Sequence, residues 1–194
     1  GQPGLARQSH AATRLADGTV LVSGGLTGDG RYTASAEIYD PSTRAFRPVG
    51  AMAVGRSGHE AVLMADGRVL VVGGVGTGWT FLASAEIYDP ATARFTATGS
   101  MRELRESHVA VRLPDGRVLV AGGHQGRGAA IVISRTAEVF DPATGRFDPV
   151  SPMDVRRHKH DAIALADGRV LILGGADERD NDGAYTSVEV FDPA

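Results

Sequence analysis

The chain has 194 residues, a formal net charge of −3 and a pI of about 6.1, so it lacks the basic surplus that attracts nucleic acids or anionic membranes. It contains no cysteine, which excludes disulfides, thiolate metal sites and cysteine nucleophiles. No apolar run approaches the ~20 residues of a membrane span. The residues from Gly1 onward do not form a signal-peptide pattern, and the compartment is left open.

Four short motifs recur in the same order four times along the chain. They are a histidine, an Asp-Gly pair, a Gly-Gly pair, and a Glu-Ile-Tyr-Asp-Pro segment or its Glu-Val-Phe-Asp-Pro variant. Equivalent histidines are 49, 49 and 52 residues apart, which indicates tandem repeats of one β-sheet unit. A β-sandwich has strands at similar spacing but no internal period of this kind. The copies span about residues 7–55, 56–104, 105–156 and 157–194.

The second copy predicts four antiparallel strands, A to D, in chain order. Strands A (59–64) and B (69–72) flank Asp66-Gly67, a pair that favours a two-residue type I′ hairpin turn. Strand B is apolar throughout, as are strands buried on both faces. Strand C (85–89) ends in an Asp-Pro turn. Strand D begins near Phe95 and is more polar, as expected at an outer edge.

The order Arg-x-x-His, Asp-Gly, Gly-Gly, Glu-Ile-Tyr-Asp-Pro, Phe and Met resembles the Kelch repeat over nearly the whole chain. The resemblance implies an all-β protein, a β-propeller in which each repeat is one blade of four antiparallel strands. The fourth copy stops at Pro193-Ala194, so its blade is expected to lack the outer strand. The chain is then expected to be a segment of a longer propeller, a closed ring of four blades, or a unit that associates with another chain through its terminal blades.

Alternating strand direction divides the connections between two faces of the propeller. The A–B and C–D turns are short and nearly the same in every copy, and they share one face. The B–C loops and D–A segments differ between copies and share the other, here called the loop face. A fixed β core with one variable set of loops is typical of binding surfaces. The B–C loops are residues 26–34, 75–83, 124–136 and 176–187.

Two interpretations compete for the arginine that ends each D–A segment. The Kelch resemblance implies that these arginines line the mouth of a ligand site. The alternative, favoured because all four copies keep both residues, is that each arginine pairs with the strand-C glutamate and fastens the repeat. The repeat histidines are interpreted as structural for the same reason. The residues interpreted as structural are Glu37, Glu86, Glu138, Glu189, His10, His59, His108 and His160.

The loop face also carries tryptophan, tyrosine and further arginine, the residue types that usually supply binding energy. An acidic segment, residues 177–182, lies in its last loop. The candidate ligand-binding residues are Arg7, Arg56, Arg105, Arg157, Tyr32, Trp79, His124 and Arg127.

Metal binding and catalysis have less support, and no metal or cofactor is predicted. His158 and His160 have the spacing of a strand ligand pair, but no third ligand can be named. The run from Glu178 to Glu189 fits the EF-hand spacing by coincidence, because strands and not helices flank it. Ser9-His10 and its equivalents point to opposite faces of a strand and cannot form a nucleophile–base pair. The copper radical oxidases of similar architecture need a cysteine that this chain lacks.

Three functions fit these features. The first is a non-enzymatic interaction module whose loop face binds a protein, peptide or glycan. The second is a small-sugar isomerase or lyase with a site in the propeller mouth, which paired carboxylates with perturbed pKa values would favour. The third is a self-assembling structural unit, which exposed blade faces at residues 1–20 and 185–194 would favour.

Overall fold

The computed structural model describes residues 2–193, without the side chains of Asp180 and Asn181. It is an all-β propeller of four blades, each a small antiparallel sheet that corresponds to one sequence repeat. Within each blade strand A pairs with B, B with C and C with D. The A strands of consecutive blades contact one another, so they lie innermost around the axis. The predicted fold is confirmed.

The strand bounds follow the sequence motifs closely. The predicted strands B and C of the second repeat are observed at the predicted residues, and strand A is shorter by one residue at each end. Blade 1 contains Ala11–Arg14, Val20–Ser23, Ala36–Asp40 and Ala45–Pro48. Blade 2 contains Glu60–Leu63, Val69–Val72, Ala85–Asp89 and Arg94–Ala97. Blade 3 contains Val109–Arg112, Val118–Ala121, Ala137–Asp141 and Arg146–Val150.

The fourth blade has three strands, as the sequence predicts. They are His158–Ala164, Val170–Ala176 and Val188–Phe191, and the last of these is the edge of the sheet. The loop face adds short ladders above blades 1 to 3: Arg7–Gln8 with Leu26–Thr27, Val75–Gly76 with Thr80–Phe81, and His124–Gln125 with Val132–Ile133. Single 3₁₀ turns occur at Thr77–Trp79, Gly128–Ala130 and Asp180–Gly183. No helix in residues 2–193 is long and apolar enough to cross a bilayer.

The predicted type I′ turn between strands A and B is wrong. The amide of Met64 donates to Arg68 O and the amide of Gly67 donates to Met64 O, which encloses a three-residue loop. Only Gly67 has positive φ, at 85°, whereas a type I′ turn requires positive φ at both central residues. Asp66 instead accepts the N–H of Arg68 through its side chain, at 3.0 Å. The turn is therefore a type I turn followed by a left-handed glycine.

Apolar side chains fill the space between consecutive blades. We call the side of a blade that meets the next blade in the chain its forward face, and the opposite side its backward face. Between blades 2 and 3, Leu70 and Ile87 of a forward face pack against Val120 and Phe140 of a backward face. Equivalent clusters join blade 1 to blade 2 and blade 3 to blade 4. Because strand B contributes to both clusters, its whole length in blades 2 and 3 is buried.

The Gly-Gly pairs let the next blade approach the end of strand B. Gly73 has φ +68°, and a Cβ added to it would lie 2.6 Å from His108 Cε1 and 2.8 Å from Arg105 O. No side chain fits there. The amide of the second glycine, Gly74, donates to Arg105 O at 2.7 Å, which ties blade 2 to blade 3.

Candidate functional site

A buried ion pair fastens each repeat below the loop face. In the second repeat Arg56 Nη2 lies 3.0 Å from Glu86 Oε1, and both side chains are almost fully buried. Arg56 also donates to Gly73 O and Ser84 O, the backbone at the end of strand B and the start of strand C. Glu86 accepts the amide of Ala53 at 2.7 Å. Burial lowers the pKa of Arg56, and the charge of Glu86 opposes that shift.

The same pair forms in the other three repeats. The Nη2–Oε distances are 3.0 Å for Arg7–Glu37, 3.1 Å for Arg105–Glu138 and 2.6 Å for Arg157–Glu189. All four guanidinium groups are buried, so they lie behind the loop face and hold the strands that support it. That they also contact a ligand stays a prediction.

Three repeat histidines are buried at the interfaces between blades. His59, His108 and His160 each lie against a Gly-Gly pair of the preceding blade. Burial, reinforced by the nearby repeat arginine, lowers the pKa to about 3 for His59 and His108 and to about 4 for His160. These side chains are therefore neutral at physiological pH. Among the described residues, no group of three or more His, Asp or Glu side chains is arranged to hold a metal ion.

Side chains from three different B–C loops meet on the loop face. Tyr32 of blade 1 contacts Trp79 of blade 2 edge to face, with ring centroids 6.1 Å apart. Arg127 of blade 3 lies over the Trp79 ring, with its Cζ atom 3.4 Å from the ring centroid, which is cation–π geometry. The Trp79 side chain is nevertheless 47% exposed. The structure thus brings together three of the residues that the sequence selected as ligand-binding.

His124, another of the candidate ligand-binding residues, lies at the centre of a second group of side chains. Its ring centroid is 5.6 Å from that of Phe81 and 4.9 Å from that of His158. His124 Nε2 is 3.2 Å from Glu106 Oε2, and burial raises the pKa of Glu106. We call both groups together the loop-face cluster: Tyr32, Trp79, Phe81, Glu106, His124, Arg127 and His158.

Sequence reasoning missed Phe81, Glu106 and, except as a possible metal ligand, His158 as members of this cluster. Phe81 is the second aromatic residue of its B–C loop, and Glu106 directly follows a repeat arginine. Both could therefore have been selected from the sequence as candidates for the loop face. What the sequence could not supply was the distance between blades.

The backbone at Trp79 is held in an unusual conformation. Trp79 has φ +62°, and Gly78 before it has φ +70°. A left-handed conformation costs a residue with a Cβ about 1–2 kcal/mol, and such strain concentrates at functional sites. The turn therefore sets the direction in which the Trp79 side chain leaves the backbone, and the residue is 47% exposed.

The acidic segment of the last B–C loop is largely paired with arginines. Asp177 Oδ2 lies 2.7 Å from Arg179 Nη2, and Glu178 Oε1 lies 3.0 Å from Arg156 Nη2. The side chain of Asp180, another acidic residue of this segment, lies outside the described part of the chain. A 3₁₀ turn, not an EF-hand loop, follows at Asp180–Gly183.

Two carboxylates lie on the innermost strands of blades 2 and 4. Glu60, on strand A of blade 2, has a pKa raised to about 7 by burial and, to a smaller extent, by the charge of Asp161 on strand A of blade 4. A carboxyl group with this pKa exchanges a proton near neutral pH, as general acids and bases do.

The family of the chain follows from comparison with known proteins. The sequence pattern of the Kelch motif matches residues 9–53, 56–102 and 107–154, which are most of the first three repeats. The chain belongs to the Kelch-repeat family. A search of curated proteins finds no match.

Proposed function

We propose that the chain is a non-enzymatic interaction module that binds a protein, peptide or glycan through the loop-face cluster. Kelch propellers are commonly protein-interaction modules. The observation that carries the proposal for this chain is the exposed Trp79 ring, which loops of three blades surround and which Arg127 covers on one side. Exposed tryptophan, tyrosine and arginine side chains grouped in this way are the usual energetic centre of an interface.

The cluster is organised before any ligand arrives. Arg127 rests on the indole, and the backbone turn fixes Trp79. We infer that these contacts restrict the two side chains before a ligand binds, which would lower the entropic cost of binding. Below the cluster, the buried arginine–glutamate pairs hold the ends of strands B and C in place.

Replacing Trp79 with alanine should weaken binding by about 2 kcal/mol or more, a loss of roughly 30-fold in affinity. The measurement is a titration of the wild-type and Trp79→Ala chains against the strongest hits from peptide and glycan arrays. Arg68→Ala is the matched control, because Arg68 is a partly exposed residue paired with Asp66 beside an A–B turn on the opposite face. Loss of binding in Arg68→Ala with no loss in Trp79→Ala would move the site to the turn face.

Glu60 and Asp161 favour a second candidate, a small-sugar isomerase or lyase with its acid–base group in the propeller mouth. Glu60 would supply the proton, since its pKa lies near 7. Turnover of a panel of small sugars, lost in Glu60→Gln and retained in Trp79→Ala, would favour the enzyme over the interaction module.

A further inference from the structure

Two histidine rings from consecutive blades face each other on the loop face. His124 begins the B–C loop of blade 3, and His158 begins strand A of blade 4. Their Nδ1 atoms are 3.3 Å apart, and the ring planes are inclined at 82° to each other. His158 is only 2% exposed and the His124 side chain 11%, so the surrounding protein holds both rings in place.

The other nitrogen of each ring faces an oxygen atom that accepts a proton. His158 Nε2 lies 3.3 Å from the backbone oxygen of Asp177, and a carbonyl oxygen can only accept a hydrogen bond. His124 Nε2 lies 3.2 Å from Glu106 Oε2, and an ionised carboxylate likewise only accepts. Each neutral ring therefore carries its proton on Nε2 and presents a lone pair at Nδ1.

The distance between the two Nδ1 atoms matches that of two ligands on one metal ion. Two lone pairs that face each other repel unless a cation lies between them, and that cation is either a proton or a metal ion. In a tetrahedral zinc site each histidine nitrogen is about 2.0–2.1 Å from the metal, which places two such nitrogens about 3.3 Å apart. The observed separation is 3.3 Å.

The outer partners of the two rings are those that metal-binding histidines usually have. Such a histidine donates its second N–H to a carboxylate or a backbone carbonyl, which fixes its tautomer and its orientation. Glu106 and Asp177 supply one of each kind. Both are anchored: the backbone of Glu106 exchanges two hydrogen bonds with that of His124, and the amide of Asp177 donates to Gly183 O at 3.1 Å.

We propose that His124 and His158 bind a divalent transition-metal ion through their Nδ1 atoms. Imidazole nitrogen suits Zn²⁺, Cu²⁺ and Ni²⁺. Among the described residues no third His, Asp or Glu ligand is in place, so water or a group of a bound molecule fills the remaining positions, as in open metal sites. The ion joins the B–C loop of blade 3 to strand A of blade 4. The proposal does not depend on the interaction function above, because ion binding is measured on the chain alone.

The test is a calorimetric titration of the chain, without a histidine tag, with zinc chloride. The wild type should bind one ion per chain. His124→Gln and His158→Gln each keep an amide group near the position of Nε2 but have no nitrogen in place of Nδ1. Neither variant should bind zinc at concentrations that saturate the wild type. Glu106→Gln should weaken binding by about 10–100-fold, the usual effect of changing an outer partner.

A matched control and a second measurement separate this site from other causes. His10→Gln removes an exposed histidine by the same substitution and should bind zinc as the wild type does. Nitrogen NMR of the wild type should show that zinc shifts the Nδ1 signals of His124 and His158 and leaves both Nε2 atoms protonated. This spectrum decides the question even where melting curves show that a variant fails to fold.

Two outcomes would overturn the proposal. A wild-type chain that binds no zinc at the highest concentration at which it stays soluble has a proton, not a metal ion, between the rings. Zinc binding of unchanged affinity in both His124→Gln and His158→Gln would place the ion on other residues.

Discussion

Replacing Glu86 with glutamine should destabilise the chain by about 3 kcal/mol, the lower end of what breaking a buried ion pair costs. For a chain of this size, that corresponds to a melting temperature lower by roughly 6–12 °C. The reason is the partner that remains: Arg56 is fully buried, and without the carboxylate its charge is uncompensated. Glutamine keeps the shape of the side chain, so a packing defect does not contribute. Thermal unfolding followed by circular dichroism measures the shift.

The chain offers a matched control for this change. Glu178 and Arg156 form an ion pair with the same 3.0 Å separation, but their side chains are 47% and 55% exposed. Glu178→Gln removes the same charge from the same kind of pair, with water present to solvate what remains. Its expected cost is about 0–1 kcal/mol. Equal shifts in melting temperature in the two variants would show that burial does not raise the cost of breaking the repeat ion pair.

Acidification from pH 6.5 to about 4 should lower the free energy of unfolding of the chain steeply. The pKa values of His59 and His108 are lowered to about 3 in the folded state and that of His160 to about 4, whereas an exposed histidine titrates near 6.5. The unfolded chain therefore binds these three protons first. The stability that the neutral histidines contribute is complete above pH ~6.5 and is lost as the pH falls towards the folded-state values.

Over part of this pH range, the titration of Glu60 changes the stability in the opposite direction. Its pKa is raised in the folded state from its ordinary value of 4.5 to about 7, mainly by burial, so the folded chain holds this proton where the unfolded chain does not. Between pH ~5 and 6 unfolding then takes up roughly two protons, and stability falls by about 2.7 kcal/mol per pH unit at the steepest point. Between pH 6.5 and 4 such a slope removes at most about 7 kcal/mol, which is comparable to the lower part of the typical range of about 5–15 kcal/mol.

Urea unfolding across this pH range measures the slope directly. The variant His108→Met fills the site on Gly73 with an apolar side chain and removes one of the three proton acceptors. Its slope should be smaller by one proton, about 1.4 kcal/mol per pH unit. An equal slope in wild type and His108→Met would contradict the explanation.

The fold could be predicted from the sequence because the same unit occurs four times, so several copies of one pattern indicate each strand and turn. The apolar run Val69–Val72 indicated burial on both faces, and all four residues are buried. The hairpin turn was mispredicted, since an Asp-Gly pair serves both two- and three-residue loops. Which loop forms depends on whether Met64 and Arg68 pair across it.

The candidate site was less accessible to sequence reasoning. Tyr32, Trp79 and Arg127 were selected individually by residue type and loop position. That they meet depends on the angle between blades and on the left-handed conformation of Trp79, and no local pattern encodes either. The burial of the repeat arginines could be anticipated, because each copy kept an arginine together with a glutamate.

The three clusters between blades also set how stability is distributed along the chain. Blades 2 and 3 are packed on both faces, whereas blades 1 and 4 each have a neighbour on one face. In an array where each unit is stabilised by its neighbours, a terminal unit opens at a lower free energy than an interior one. Among the described residues, Val188–Phe191 pairs with one strand and Val118–Ala121 with two, so the amide protons of Val188–Phe191 should exchange with solvent first. The four similar repeats therefore differ in rigidity, and the blades that carry Trp79 and Arg127 are the most rigid.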